Sequence, residues 1–180
     1  MSRAQKPLRA SRARPRRARG FTLVELALAI TIVAILAWVA YPKVAAMGEI
    51  RLDAAARRLA GDVRYAQSRS INTRTVHGIY FQPSLSRYTV YALTPATPVA
   101  DPADRARPLR VDYASRVEFR GVSIASASFG SGRALSFDYY GVPRDSGGTD
   151  LASAGRVILS YQGLSDTVLV APGTGTVTVR

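Results

Sequence analysis

Residues 19–40 read RGFTLVELALAITIVAILAWVA, and this stretch decides how the rest of the chain is organised. Between residues 26 and 40 no side chain is charged, and Thr31 is the single polar one. An α-helix rises about 1.5 Å per residue, so residues 21–40 are long enough to cover the roughly 30 Å hydrocarbon core of a bilayer. The stretch therefore predicts one membrane-spanning helix.

Basic charge is concentrated immediately before this stretch. The chain has 180 residues, 25 Lys+Arg against 12 Asp+Glu, and a formal net charge of +13. Eight of the basic residues and none of the acidic ones lie in residues 1–20, which leaves +5 for the remainder. Because positive residues hold their flank of a membrane helix in the cytoplasm, we expect the chain beyond the helix to be translocated, in a Gram-negative cell to the periplasm.

One acid, Glu25, interrupts the apolar stretch near its start. A carboxylate at the centre of a membrane helix costs about 2.5 to 3.5 kcal/mol, and one near the end costs less but still needs a partner. Cleavage between Gly20 and Phe21 would create an α-amine four residues before Glu25, and a helix N-terminus itself favours a carboxylate. The amine of the same chain or of a neighbouring subunit is therefore the expected partner.

A second cleavage position remains open. The small residues at positions 44–46, Val-Ala-Ala, are acceptable to an ordinary signal peptidase after an apolar region. Cleavage there would release a soluble periplasmic protein beginning at Met47. This alternative leaves both Glu25 and the Gly20-Phe21 junction unexplained.

The sequence RGFTLVE at residues 19–25, followed by an apolar helix, resembles the class III leader and mature N-terminus of type IV pilins and type II secretion pseudopilins. The resemblance implies that a prepilin peptidase cuts after Gly20 and N-methylates Phe21, and that Glu25 recruits the subunit into a filament by meeting a neighbour's amine. Pro42 matches the proline that pilin helices carry at this distance, where the missing backbone donor permits a kink.

Helical periodicity continues beyond the apolar stretch, over residues 42–75. Charged residues, Asp62 among them, occupy the remaining faces and are expected to be exposed, where a filament subunit would contact its neighbours. Apolar and small residues recur at spacings of three and four, which predicts a helix that buries one stripe: Leu52, Ala56, Leu59, Val63, Ala66 and Ser70.

From residue 76 to the end, short β-type runs alternate with turn residues. Residues 94–108 contain four prolines and predict an exposed loop. A long N-terminal helix followed by strands predicts an α+β fold in which the helix packs on an antiparallel β-sheet. The predicted strands are 76–81, 88–93, 109–113, 117–119, 122–127, 134–137, 156–161, 167–170 and 176–179.

Residues 51–68, 137–143 and 172–177 are similar to the GspH/FimT minor pseudopilins. This resemblance implies a structural subunit, not an enzyme, that assembles with other pilins or pseudopilins after processing by the prepilin peptidase in the inner membrane. The implied organisation is a cleaved leader at 1–20, a transmembrane half-helix at 21–41, a periplasmic half-helix at 42–75 and a β domain at 76–180. A type II secretion pseudopilus and a type IV pilus both remain open.

Other chemistry is sparse in this sequence. With no cysteine and a single histidine, His77, disulfides, thiolate sites and multi-histidine metal sites are excluded. The sequence DSGG at residues 145–148 resembles a serine-protease nucleophile loop, but the residues around His77 lack that family's histidine motif. Asp145 and Asp150 are a weak calcium candidate without EF-hand spacing, so a polar turn is expected there. No cofactor is predicted.

DNA binding during uptake is the alternative function, because FimT-type minor pilins perform it through basic residues. Arg105, Arg107 and Arg110 are the candidate phosphate contacts, since guanidinium groups suit phosphate. The sequence departs from the Gly-Arg-x-Arg stretch of DNA-binding members, because Gly132-Arg133 and Gly155-Arg156 are not followed by a second arginine at the required position.

Overall fold

The computed structural model describes residues 21–130 and 132–180, except for the side chains of residues 39–46. The chain divides into two compact units, one ending at Tyr41 and the other beginning at Pro42. A single helix, α1, spans Leu23–Thr73. It ends where Arg74 adopts a left-handed conformation with φ of 51°, a common way for a helix to stop.

Strands follow α1 along the chain, and they form two antiparallel sheets. The first sheet has the order β3-β2-β1-β5-β6 and the second has the order β4-β7-β8-β9. The α+β expectation is confirmed, but the sequence predicted one sheet and the structure has two. The strands are β1 (His77–Gln82), β2 (Arg87–Ala92), β3 (Arg110–Asp112), β4 (Ser123–Ser128), β5 (Ala134–Phe137), β6 (Pro143–Arg144), β7 (Gly155–Tyr161), β8 (Leu164–Val170) and β9 (Val177–Val179).

One hydrophobic core joins α1 to both sheets. All six residues of the predicted helix stripe are buried, so that prediction is confirmed. In the first sheet, Ile79 of β1 lies opposite Val90 of β2 and Leu135 of β5, and all three are fully buried. Because α1 and both sheets each have an apolar face to remove from water, a shared core satisfies all of them.

Two short segments differ from the sequence prediction. Residues 117–119 form a 3-10 helix, not a strand: the backbone N–H of Arg120 donates to the carbonyl of Val117, and only Phe119 is buried. The apolar-charged-apolar pattern of these residues imitates a strand over too short a length to decide between the two structures. Strand β6 was not predicted, because proline lacks the backbone N–H that a strand uses for pairing. Pro143 is tolerated here because β6 lies at the edge of the first sheet.

Large apolar side chains are exposed along the first part of α1; Leu23 and Trp38 have more than four fifths of their surface accessible. Among the residues that the structure describes, no helix combines the length and the apolar character needed to cross a membrane.

Candidate functional site

The candidate assembly site lies at the start of α1. Thr22 precedes the first helical residue, Leu23, and its Oγ1 accepts a hydrogen bond from the backbone N–H of Glu25 at 3.2 Å. The carbonyl of Thr22 accepts the first helical bond, from Leu26 at 3.1 Å. Thr22 is therefore the N-cap, and Glu25 stands three residues later, the spacing of a capping box.

This geometry places Glu25 in the first turn of the helix, where backbone N–H groups and the helix dipole favour a negative charge. Glu25 and Phe21 are both exposed, so each is accessible to another molecule. The start of α1 therefore exposes both the Glu25 carboxylate and the nearby residue Phe21 to a neighbouring molecule.

Two predicted positions lie outside the described residues. Gly20, the residue before the expected cleavage junction, precedes the first described residue, Phe21. Pro42, the expected kink, belongs to the part of α1 whose side chains are not described. Both therefore stay predictions.

The three candidate DNA-contacting arginines are all exposed. Arg107 and Arg110 line one cleft of about 530 Å³ together with Arg87 and Arg116. The cleft also contains Asp101, Asp104 and Asp112. Arg107 pairs with Asp104 at 3.3 Å and Arg87 with Asp112 at 2.7 Å, so much of the positive charge is compensated within the protein.

The ion pair with Arg87 has an electrostatic consequence. Hydrogen bonding from the Arg87 guanidinium lowers the pKa of Asp112 below its ordinary value. Asp112 therefore stays ionised in mildly acidic solution and keeps one guanidinium of the cleft occupied.

The calcium candidates form a polar turn. Asp145 Oδ1 accepts hydrogen bonds from the backbone N–H groups of Gly147 and Thr149, at 2.8 and 3.0 Å. Asp150 pairs with Arg144 at 2.9 Å. Within the described ranges, no group of three or more His, Cys, Asp or Glu residues is arranged to hold a metal ion.

His77 lies buried at the junction between α1 and β1, and Ser146 lies on a surface turn. His77 is 3% exposed and its Nδ1 lies 2.9 Å from the carbonyl of Thr75, while its backbone N–H donates to Ser70 Oγ at 2.9 Å. Ser146 lies on an exposed turn beside Gly132. His77 therefore anchors the junction between α1 and β1.

Asp62 is the polar residue that sequence reasoning misplaced. It was expected on an exposed face of α1, yet it is 8% exposed and accepts hydrogen bonds from Tyr88 Oη at 2.6 Å and Arg58 Nε at 3.1 Å. Burial raises the pKa of Tyr88 well above its ordinary value, and burial also raises that of the adjacent Tyr113. Both phenols therefore stay protonated, and Tyr88 can donate to the carboxylate.

Comparisons with known proteins give one match to the N-terminal segment and several matches to the fold. Residues 15–41 match the family described as "Prokaryotic N-terminal methylation motif". Comparison with curated proteins finds no match. The minor pseudopilin EpsH from the Type 2 Secretion System of Vibrio cholerae is 11% identical, with 72% of this chain and 96% of that chain covered and a TM-score of 0.52. The type IV minor pilin FimU of Pseudomonas aeruginosa strain PAO1 is 15% identical, with 73% and 88% covered and a TM-score of 0.48.

The EpsH likeness shows a common fold, and the motif match shows the type of N-terminus. The chain therefore carries the prokaryotic N-terminal methylation motif on a pilin-like α+β fold.

Proposed function

We propose that this chain is a minor pseudopilin or minor pilin, a non-catalytic subunit of a short filament or of its initiation complex. The observation that carries the proposal is that the methylation motif at residues 15–41 includes the expected leader end, the cleavage junction and the first turns of α1. The rest of the chain then supplies a pilin-like domain.

Each part of the N-terminal segment has a task in this proposal. The basic leader, residues 1–20, keeps that end in the cytoplasm, and residues 21–41 hold the subunit in the inner membrane until extraction. Cleavage after Gly20 frees the amine of Phe21, which the prepilin peptidase methylates. Glu25 then offers a carboxylate at the start of the helix. The amine of a neighbouring subunit pairs with this carboxylate and offsets the desolvation cost of burying it among apolar helices.

The first experiment follows processing of the full chain in cells that contain the prepilin peptidase. Mass spectrometry should find a mature chain that begins with N-methylated Phe21, and Gly20→Ala should leave the leader attached. A mature chain that begins at Met47 would instead support the soluble periplasmic alternative and contradict our proposal.

The second experiment follows assembly. Glu25→Ala should be processed normally but recovered poorly with the filament or tip complex. The variant lacks the carboxylate that would meet the amine of a neighbouring subunit during docking. Glu49→Ala is the matched control, since Glu49 is an exposed acid on the same helix. Equal recovery of both variants would show that Glu25 has no special part in assembly.

DNA binding is the second candidate function, favoured by the cleft that gathers Arg87, Arg107, Arg110 and Arg116. Phosphate contacts would make binding fall steeply with salt. A gel shift with the full chain across salt concentrations tests it, with Arg110→Gln as the variant and the exposed Arg69→Gln as control. Absence of a shift at low salt removes this candidate.

A further inference from the structure

Strand β9 has an open backbone edge. Among the residues that the structure describes, it is the last strand of the second sheet and pairs with β8 alone. Arg180 and Thr167 exchange both backbone hydrogen bonds, at 2.9 and 2.7 Å. Because bonded and non-bonded pairs alternate in an antiparallel ladder, the N–H and C=O groups of Val177 and Val179 point away from β8.

A groove of about 500 Å³ lies between this edge and α1. It is lined by Arg57, Ala60 and Arg64 of the helix and by the three residues of β9. Arg64 Nη2 donates to the carbonyl of Val177 at 3.0 Å, which confirms the direction in which the edge faces. The N–H of Val177 and both backbone groups of Val179 are then directed to the groove side of the strand.

The charge of the groove is complementary to a carboxylate. Of the six lining residues, the two that are charged are both arginines. Arg57 pairs with Asp53 but is largely exposed, and Arg64 is also exposed and has further N–H donors beyond the one bonded to Val177. These arginines are two helical turns apart, about 10.5 Å along the axis, which equals about three residues of extended chain.

We propose that this groove receives an extended, carboxylate-bearing segment of a neighbouring filament subunit, which pairs with Val177–Val179 as a fifth strand and bonds its carboxylate to Arg64. The identification of the neighbour as a filament subunit rests on the proposed function. The edge selects for extended backbone, and the arginines select for acidic side chains, which is how strand addition obtains both affinity and specificity. Open edges are usually blocked in soluble proteins, and here Arg64 occupies a single acceptor.

A photo-cross-linking residue in place of Thr178 tests the proposal in cells that make the whole assembly. The side chain of Thr178 is exposed and lines the groove, and Ser126, exposed on the opposite edge strand β4, is the matched control position. We expect Thr178 to capture, and Ser126 not to capture, an Asp- or Glu-containing segment of another protein with the methylation motif. Mass spectrometry of the linked peptide identifies that segment.

Two variants test the contacts. Val179→Pro removes an outward N–H without removing a ladder bond to β8, and Arg64→Gln removes the charge. Each should lower the yield of the cross-linked product formed from position 178 about fivefold, which is the expected effect of losing one hydrogen bond. Arg69→Gln on the same helix should leave the yield unchanged. Arg64→Lys, which keeps the charge, should retain more product than Arg64→Gln, and circular dichroism checks that every variant folds.

The inference would be overturned by equal capture at Thr178 and Ser126, or by capture that Val179→Pro and Arg64→Gln leave unaffected. It would also be overturned if the captured partner were a helical segment, a non-acidic segment or nucleic acid. N-terminal methylation and recovery with the filament are measured in the same cells. Normal recovery without capture at Thr178 overturns the inference and leaves the proposed function standing. Loss of methylation and recovery in the otherwise unmodified chain overturns both.

Discussion

The ring of Tyr161 lies against Gly48 so closely that a Cβ on this glycine would be 2.6 Å from the ring atom Cε1. On the other side of the ring, a Cβ on Gly121 would be 2.7 Å from Cε2. Tyr161 is thus held between α1 and the loop that contains Gly121. Gly48 lies within α1, and its missing side chain makes room for this ring.

The two glycines of α1 should respond to alanine with opposite signs. Gly48→Ala should lower the free energy of unfolding by about 1 to 3 kcal/mol, because the added methyl group overpacks against a ring that cannot retreat. Gly61→Ala should raise it by about 0.5 to 1 kcal/mol, because Gly61 has open space around it and alanine favours the helix. Denaturant unfolding of the full chain in detergent micelles, followed by circular dichroism, measures both. Similar changes for the two variants would disprove the packing role of Gly48.

Stability should fall in alkaline solution because Tyr88, Tyr91 and Tyr113 are buried. Burial raises the pKa values of all three phenols in the folded state, so this contribution is complete below the unfolded pKa of about 10 and is lost as the pH rises above it. Each tyrosine should contribute a slope of up to about 1.4 kcal/mol per pH unit.

Tyr88→Phe isolates the contribution of one of these tyrosines. Between pH 10 and 11 its free energy of unfolding should fall less steeply than that of the unmodified chain, because one buried phenol no longer titrates. At neutral pH it should be less stable by about 1.5 to 3 kcal/mol, because Asp62 loses a charge-assisted hydrogen bond of 2.6 Å. An unchanged alkaline slope would argue against burial of the Tyr88 phenol.

Asp138 should be the most sensitive residue of the turn that carries Tyr139 and Tyr140. Its Oδ1 accepts the backbone N–H groups of Tyr140 and Val142, each at 2.9 Å, and its Oδ2 accepts from Arg144 at 3.1 Å. Asp138→Ala should cost about 3 kcal/mol, because Asp138 is 4% exposed and its partners lose their acceptor. Asp138→Asn keeps one carbonyl oxygen and should cost less. Thermal unfolding of both variants checks this order.

Gln67 should tie two loops to α1 through its amide. Its Nε2 donates to the carbonyls of Gly141 at 2.9 Å and Thr174 at 2.8 Å. Gln67→Glu should destabilise the chain at pH 7 more than Gln67→Ala does, because an ionised carboxylate cannot donate to a carbonyl. Below about pH 4 the glutamic acid becomes protonated and can donate again, so the order should reverse. Hydrogen exchange at residues 139–141 and 173–175 measures the local opening. An order of the two variants that does not change with pH would refute the hydrogen-bonding role.

Most of the secondary structure could be predicted because its signals are local. The stripe from Leu52 to Ser70 follows the helical repeat, and runs such as residues 134–137 are bounded by turn residues on both sides. The prediction was wrong where a short run gave no decisive pattern, as at Val117. It also misplaced Asp62, because helical periodicity cannot show that a tyrosine distant in sequence will meet a carboxylate.

The sequence by itself determined the apolar N-terminal stretch, the basic leader, the methylation motif around Gly20, Phe21 and Glu25, and the α+β order of elements. These depend on residue type and on spacing along the chain. Only the tertiary structure decided the division into two sheets, the burial of Asp62 against Tyr88, the packing of Tyr161 on Gly48 and the groove beside β9. The physical reason is that these features form between segments far apart in sequence, so they exist only once the strands have paired and α1 has packed on them.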